Sequence, residues 1–149
     1  MSYAAQFGAF LELPVHLCRS LTWDQGIEMA RHGEFARAIG TPVFFCDPAS
    51  PRFGQAARHI ADAQRAGAPR LLRVNRTGVS QRRAAATGQL ARVRGVDRDE
   101  YPPAFARSVG QAVSVRYIDP FSNRGLGASL GAATRRLDDG ARFLVTVVP

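Results

Sequence analysis

The sequence predicts an α+β domain, a small mixed or antiparallel sheet with helices packed against it. Three observations carry that expectation. Apolar runs of strand length recur along the chain, a well-patterned amphipathic helix follows the first of them, and Gly or Pro punctuation separates the elements. With 149 residues, 46% of them hydrophobic, the chain holds enough apolar material for one compact core without disulfide or metal staples.

Residues 1–40 read as an N-terminal extension, in which Thr22 or Asp24 is placed to cap a short helix running to Gly33; residues 41–149 read as the folded domain. Thr41–Cys46 (TPVFFC) is a buried strand by its β-branched and aromatic content, and Asp47-Pro48-Ala49-Ser50-Pro51 is a turn. Phe53, Ala56, Ala57, Ile60 and Ala63 or Gln64 then recur at helical spacing, and Gly67 stops the helix. Leu71–Asn75 is a second strand, and Val79–Ala86 a short helix carrying Arg82 and Arg83. Residues 87–100 read as a polar, Arg-rich connection. Ala112–Asp119 alternates as a strand does. The glycine-punctuated stretch from Ser122 to Leu137 contains a helix, and Arg142–Val148 is a closing strand.

Charge narrows the function. All 20 basic residues are Arg, against 12 acidic ones, for a net charge of +8. Residues 1–50 carry a net −2 and residues 51–149 a net +10, so the surface for a polyanionic partner belongs to the last hundred residues. A guanidinium donates two parallel hydrogen bonds to a phosphate, which suits nucleic acid. Cys18 and Cys46 match no metal spacing and read as structural thiols, with a single disulfide left open. His16, His32 and His59 share no zinc-type spacing; His59, on the amphipathic helix, reads as a satisfied structural imidazole ahead of a catalytic one. No apolar stretch reaches membrane-spanning length, and MSYAAQFGAFLELPVHLC makes a poor signal peptide.

Two clusters carry chemistry. Val96-Asp97-Arg98-Asp99-Glu100-Tyr101-Pro102 packs three carboxylates around one guanidinium; such a group binds a cation or poises a base, unless it is merely a solvated acidic turn. Asp119-Pro120-Phe121-Ser122-Asn123-Arg124-Gly125-Leu126-Gly127 offers hard oxygen ligands and a phosphate-binding Arg, unless it is an ordinary strand-to-helix turn.

In this order, the clusters resemble the NucA/NucB family of small bacterial deoxyribonucleases. The likeness runs from Asp97-Arg98-Asp99-Glu100-Tyr101-Pro102 through Val115-Arg116-Tyr117 and Asn123-Arg124-Gly125-Leu126-Gly127 to Asp139-Gly140. Upstream, Arg52-Phe53, His59-Ile60, Asp62-Ala63, Gly78 and Arg82-Arg83 are similar too, so the resemblance covers roughly residues 51–147.

That resemblance implies a ββα-metal (His-Me finger) site and a metal-dependent, sequence-non-specific endonuclease acting on DNA. Asp99 is then the base, with Glu100 and Arg124 completing the catalytic set. Asn123, Glu100 and Asp97 are the ligands of a divalent cation, Mg²⁺ or Mn²⁺, and Arg82, Arg83, Arg98, Arg116 and Arg124 guide the nucleic-acid backbone. His59 and Asp119 stand as weaker site candidates. Three departures qualify this. Ala106-Arg107-Ser108-Val109-Gly110 lacks the family's acids, Leu72 and Ala106 replace its cysteine pair, and Ala132 and Ala133 replace polar residues. The missing cysteines favour a reducing compartment. With the extension, they raise the expectation of a bacterial effector toxin domain, secreted or delivered into a target cell and restrained by an acidic immunity protein. The competing expectations are a catalytically inactive nucleic-acid- or protein-binding relative, and a ribonuclease using the same site.

Overall fold

The computed structural model describes residues 40–107 and 110–148. The expected extension up to residue 39, with its short helix, His16, Cys18 and His32, lies outside the described residues.

The elements are β1 (Val43–Cys46), α1 (Gly54–Arg65), β2 (Leu71–Arg73), α2 (Val79–Thr87), β3 (Asp97–Tyr101), a single 3₁₀ turn (Ala104–Ala106), β4 (Ser114–Ile118), α3 (Pro120–Thr134) and β5 (Arg142–Val147). They form an α+β architecture with two small sheets. The first has the order β1-β5-β2: β1 runs parallel to β5 with Val43 opposite Leu144, and β2 runs antiparallel to it with Leu71 opposite the same residue. The last strand in sequence is thus the central one. Its Phe143, Leu144 and Val145 are buried, as a strand with a partner on both edges requires. The second sheet is the antiparallel hairpin of β3 and β4, with Asp99 opposite Arg116 and Arg98 opposite Tyr117.

Helix α1 turns a stripe of Ala56, Ala57, His59, Ile60 and Ala63 inward and joins the two sheets. Its small residues let it sit close to Phe44, Leu72, Val74, Phe143 and Val145. Phe143 meets Phe44 edge-on at 5.4 Å and stacks on Phe105 at 6.1 Å. Full burial of a side chain of that size stabilises by roughly 1.5–3 kcal/mol. Tyr101 fastens the hairpin to this core. Its ring is buried, its hydroxyl accepts from Gln64 Nε2 at 2.8 Å and donates to the Pro69 carbonyl at 2.9 Å, and Gln64 also donates to the Val145 carbonyl. Burial pushes the Tyr101 phenol well above its ordinary range.

Helix α1 stops where expected, with Gly67 in the left-handed region at φ +99°. Helix α3 starts at Pro120, two residues before the expected stretch, because Asp119 caps it: the Asp119 carboxylate accepts from Ser122 N at 2.8 Å, and Pro120 needs no partner for a missing N–H. The larger difference lies in residues 87–100. Their second part is strand β3, not a connection. No helix among the described residues is long and apolar enough to cross a membrane.

Candidate active site

Strand alternation divides β3. Asp97, Asp99 and Tyr101 face α1 and α3, while Arg98 and Glu100 face α2. Since β4 leads directly into α3, and the first turns of α3 return to β3, the three elements form a ββα unit with the acidic run along its first strand.

Asp99 is the best-positioned carboxylate. The His59 ring, fully buried in α1, donates from Nδ1 to Asp99 Oδ2 at 2.6 Å, and Nε2 lies 2.9 Å from Ser114 Oγ on β4. A carboxylate can only accept, so Nδ1 carries a proton, and a neutral ring then accepts from the Ser114 hydroxyl through Nε2. Both ring nitrogens are therefore satisfied. The chain His59–Asp99 also fixes the orientation of Asp99, whose side chain is 16% exposed and whose Oδ1 has no protein partner among the described residues. Opposite Asp99 on β4, Arg116 reaches Asp62 Oδ2 on α1 at 2.6 Å and stays half exposed.

Asp97 lies at the start of the same strand face. Arg124 grips it in a fork, Nε to Oδ2 at 2.9 Å and Nη2 to Oδ1 at 3.0 Å, and Asn123 Nδ2 donates to Oδ2 at 3.3 Å. The hydrogen bonds from Arg124 hold the Asp97 carboxyl below the usual carboxylate range, helped by Asn123 and the guanidinium charge and opposed by partial burial; Asp97 in turn raises Arg124. Ser122, the neighbour of Asn123, accepts from Ala56 N at 3.1 Å and ties α3 to α1 beneath the site.

Glu100 lies on the opposite face and is caged by cations. Arg83 Nε donates to Oε1 at 3.3 Å, and both terminal nitrogens of Arg107 donate to Oε2 at 3.2 Å. Arg107 is only 4% exposed and also donates to the Pro102 and Arg82 carbonyls. The structure does not bring Glu100 to Asp97 and Asn123. Arg82 gives Nε, Nη1 and Nη2 to the carbonyls of Ala104, Thr77 and Asn75, a role in holding the loop; Arg98 Nη1 donates to the Thr87 and Leu90 carbonyls at the end of α2. Asp119 serves as the α3 cap.

Among the residues that sequence reasoning missed, Ser114 and Arg107 matter most. Strand alternation of Ala112–Asp119 was the available signal for Ser114, and the acid-free Ala106–Gly110 stretch was the signal for Arg107.

A cleft of about 380 Å³ opens beside these groups, lined by Arg83, Thr87, Arg92, Arg98, Asp97 and Asn123 among others. Two of its walls are oxygen donors and three are guanidiniums, a lining suited to a phosphodiester with a cation. Among the described residues no three His, Cys, Asp or Glu side chains converge as a metal cage. Asp97 and the Asn123 amide oxygen are the hard oxygens of the sort a hydrated Mg²⁺-type ion takes, and a cation there would have to displace Arg124, which now holds both Asp97 oxygens.

No family model matches the chain. It is 35% identical over 98 residues to the DNA-entry nuclease of Bacillus subtilis, a match covering 66% of this chain and 67% of that protein. A second kind of match is shorter: 60% identity over 42 residues to the transposase of insertion element IS30A of Escherichia coli, covering 28% of this chain and 11% of the transposase. The transposase of element IS1086 of Cupriavidus metallidurans is 52% identical over 44 residues, 30% of this chain and 13% of that protein.

Proposed function

The chain belongs to the nuclease family of the Bacillus subtilis DNA-entry nuclease, and from that premise we propose that it is a divalent-cation-dependent endonuclease that hydrolyses DNA phosphodiester bonds with little sequence preference. The observation that carries the proposal is Asp99, oriented by a buried imidazole and lying on the same strand face as Asp97, which lines the guanidinium-rich cleft.

Asp99 Oδ1 accepts a proton from the attacking water as its oxygen adds to phosphorus. The P–O3′ bond breaks, leaving a 5′-phosphate; the 3′-oxygen departs with the bonding pair and takes a proton from solvent water to become the 3′-hydroxyl, and Asp99 returns its own proton to solvent. His59 keeps Asp99 from rotating, so the carboxylate meets the water already oriented, and a positioned base of this kind contributes about 10²–10⁴-fold. Arg124, exposed at 74%, is free to exchange part of its grip on Asp97 for a phosphate oxygen. Arg83, with only Nε committed to Glu100, offers its outer nitrogens to the neighbouring backbone. Contacts of this type read phosphate and carry no sequence information. Asp97 and Asn123 would hold the cation, which when bound supplies Lewis-acid stabilisation of the developing phosphorane charge.

The test is conversion of supercoiled plasmid with Mg²⁺ or Mn²⁺, with EDTA, and with Asn123→Ala. Cleavage that needs the cation and fails in Asn123→Ala supports the proposal; cleavage unchanged in EDTA contradicts its cation requirement. The caged Glu100 favours a second reading, an inactive relative that binds nucleic acid through the same cleft. An intact plasmid that still shifts on a gel would establish it. The proposal extends to delivery as an antibacterial toxin with an acidic inhibitor matched to the basic face. A screen of neighbouring reading frames for a small acidic protein that blocks cleavage tests that extension, and finding none counts against it.

A further inference from the structure

Phe121 and Arg52 are unexplained by the site as described. Phe121, in the first turn of α3, is 62% exposed, more than Val93 at 51% or Tyr117 at 37%, the other large exposed hydrophobics among the described residues. A phenyl ring left in water at a helix start has no role in the cap, which Asp119 and Ser122 complete without it. Arg52 is exposed as well. Its guanidinium carbon stands 5.8 Å from the centre of the Phe121 ring and 5.2 Å from that of Phe53, and it makes no ion pair with a carboxylate among the described residues. The ring and the guanidinium thus hold one another in place while both stay open to solvent.

Their location gives the pair a meaning. Phe121 and Arg124 are three residues apart on α3 and lie on one face of the helix, with about 5–6 Å between the Cβ atoms of such a pair. Arg124 grips Asp97, so the aromatic–guanidinium pair borders the site assigned to the reacting phosphate.

We propose that Arg52 and Phe121 form a stacking platform for an unpaired nucleobase next to the phosphate at Arg124, so that the protein favours single-stranded or locally opened nucleic acid over intact duplex. This rests on the nuclease reading of the same site and names its substrate class. In a duplex both faces of each internal base are covered by neighbours. An unpaired strand presents a bare π-face that a phenyl ring accepts whatever the base, and the guanidinium adds charge toward the adjoining phosphate.

The experiment measures binding by fluorescence anisotropy in EDTA, so that no cleavage intervenes. The probes are a labelled 20-nucleotide thymidine strand, the same length as duplex, and a strand of equal charge made of abasic sugar phosphates. Wild type binds the thymidine strand more tightly than the abasic strand. Phe121→Ser weakens the thymidine complex by about tenfold, the scale of one base–aromatic stack, with a smaller loss on duplex. Phe121→Trp restores the single-strand preference. Arg52→Gln lowers it in the same direction. Equal losses on all three probes, or none for Phe121→Ser on the thymidine strand, overturn the platform while leaving the nuclease reading standing if plasmid is still cleaved. Failure of the wild type to bind or cut any nucleic acid removes both.

Discussion

Replacing His59 by Ala removes a buried ring whose two nitrogens both have partners, and the cost can be built from its parts. Deleting a buried side chain of this size costs about 2–5 kcal/mol in lost contacts and residual cavity. The hydrogen bond to the Asp99 carboxylate adds about 1.5–3 kcal/mol and that to Ser114 about 1 kcal/mol, on the usual scale for charged and neutral partners. These terms overlap, and Asp99, at 16% exposure, regains some water, so the sum is reduced to about 4 kcal/mol. A domain of this size has a total stability of about 5–15 kcal/mol, so His59→Ala should fold but only marginally. In urea, with a slope of about 1–3 kcal/mol per molar, the midpoint should fall by roughly 2 M. His59→Asn is the informative companion. Its amide nitrogen can take the place of Nδ1 and still donate to Asp99, while the reach to Ser114 is lost. It should recover part of the stability and most of the cleavage that His59→Ala loses. A midpoint shift for His59→Ala below about 0.5 M, or His59→Asn no better than Ala in cleavage, would refute the argument that the imidazole holds Asp99.

Three further expectations follow from the same structure. Because Arg124 depresses the Asp97 carboxyl, the stability from that contact is full above the ordinary Asp value near 3.9 and is lost as pH falls through the lower folded value; the exposure of the guanidinium to solvent keeps it small. Acid titration of wild type and Arg124→Ala should therefore converge at low pH, and a gap that persists there would contradict the assignment. Burial, with a smaller push from the Asp99 charge, raises the Cys46 thiol to about 12, so peptide mapping after alkylation of the native protein at pH 8 should find Cys46 unmodified until denaturant is added. Gly125 has no room for a methyl group because an added Cβ would overlap the Phe53 ring. Gly125→Ala should cost about 1–3 kcal/mol by overpacking despite its better helix propensity, read as a lower thermal midpoint.

The apolar part of the fold was legible in the sequence because it is periodic. The TPVFFC and RFLVTV runs and the Phe53–Ala63 stripe announce elements that bury one face, and the structure has β1, β5 and α1 there. Strand β3 was not legible. Asp97-Arg98-Asp99-Glu100 has no apolar alternation, and it is a strand because each side chain finds a partner distant in sequence: Arg124, the end of α2, His59, and the Arg83–Arg107 pair. Satisfaction of polar groups by tertiary contact leaves no pattern along the chain. Asp99 was singled out as the base from its motif, yet the imidazole that orients it lies 40 residues upstream and was read mainly as structural. Arg82 looked like its neighbour Arg83 in the sequence, but the structure commits it to three carbonyls and leaves Arg83 exposed at 63%. A run of guanidiniums does not reveal which of them face the ligand and which hold the loop.

The most direct test of the account compares wild type and Asp99→Asn on one supercoiled plasmid, scoring cleavage in Mg²⁺ or Mn²⁺ and binding in EDTA. Asn keeps the volume and can accept the His59 hydrogen bond through its amide oxygen, but it cannot take a proton from water. Cleavage should fall at least about a hundredfold while binding is retained. Asp99→Asn cutting at the wild-type rate would contradict the assignment of Asp99 as the base and with it the mechanism built on the His59–Asp99 pair.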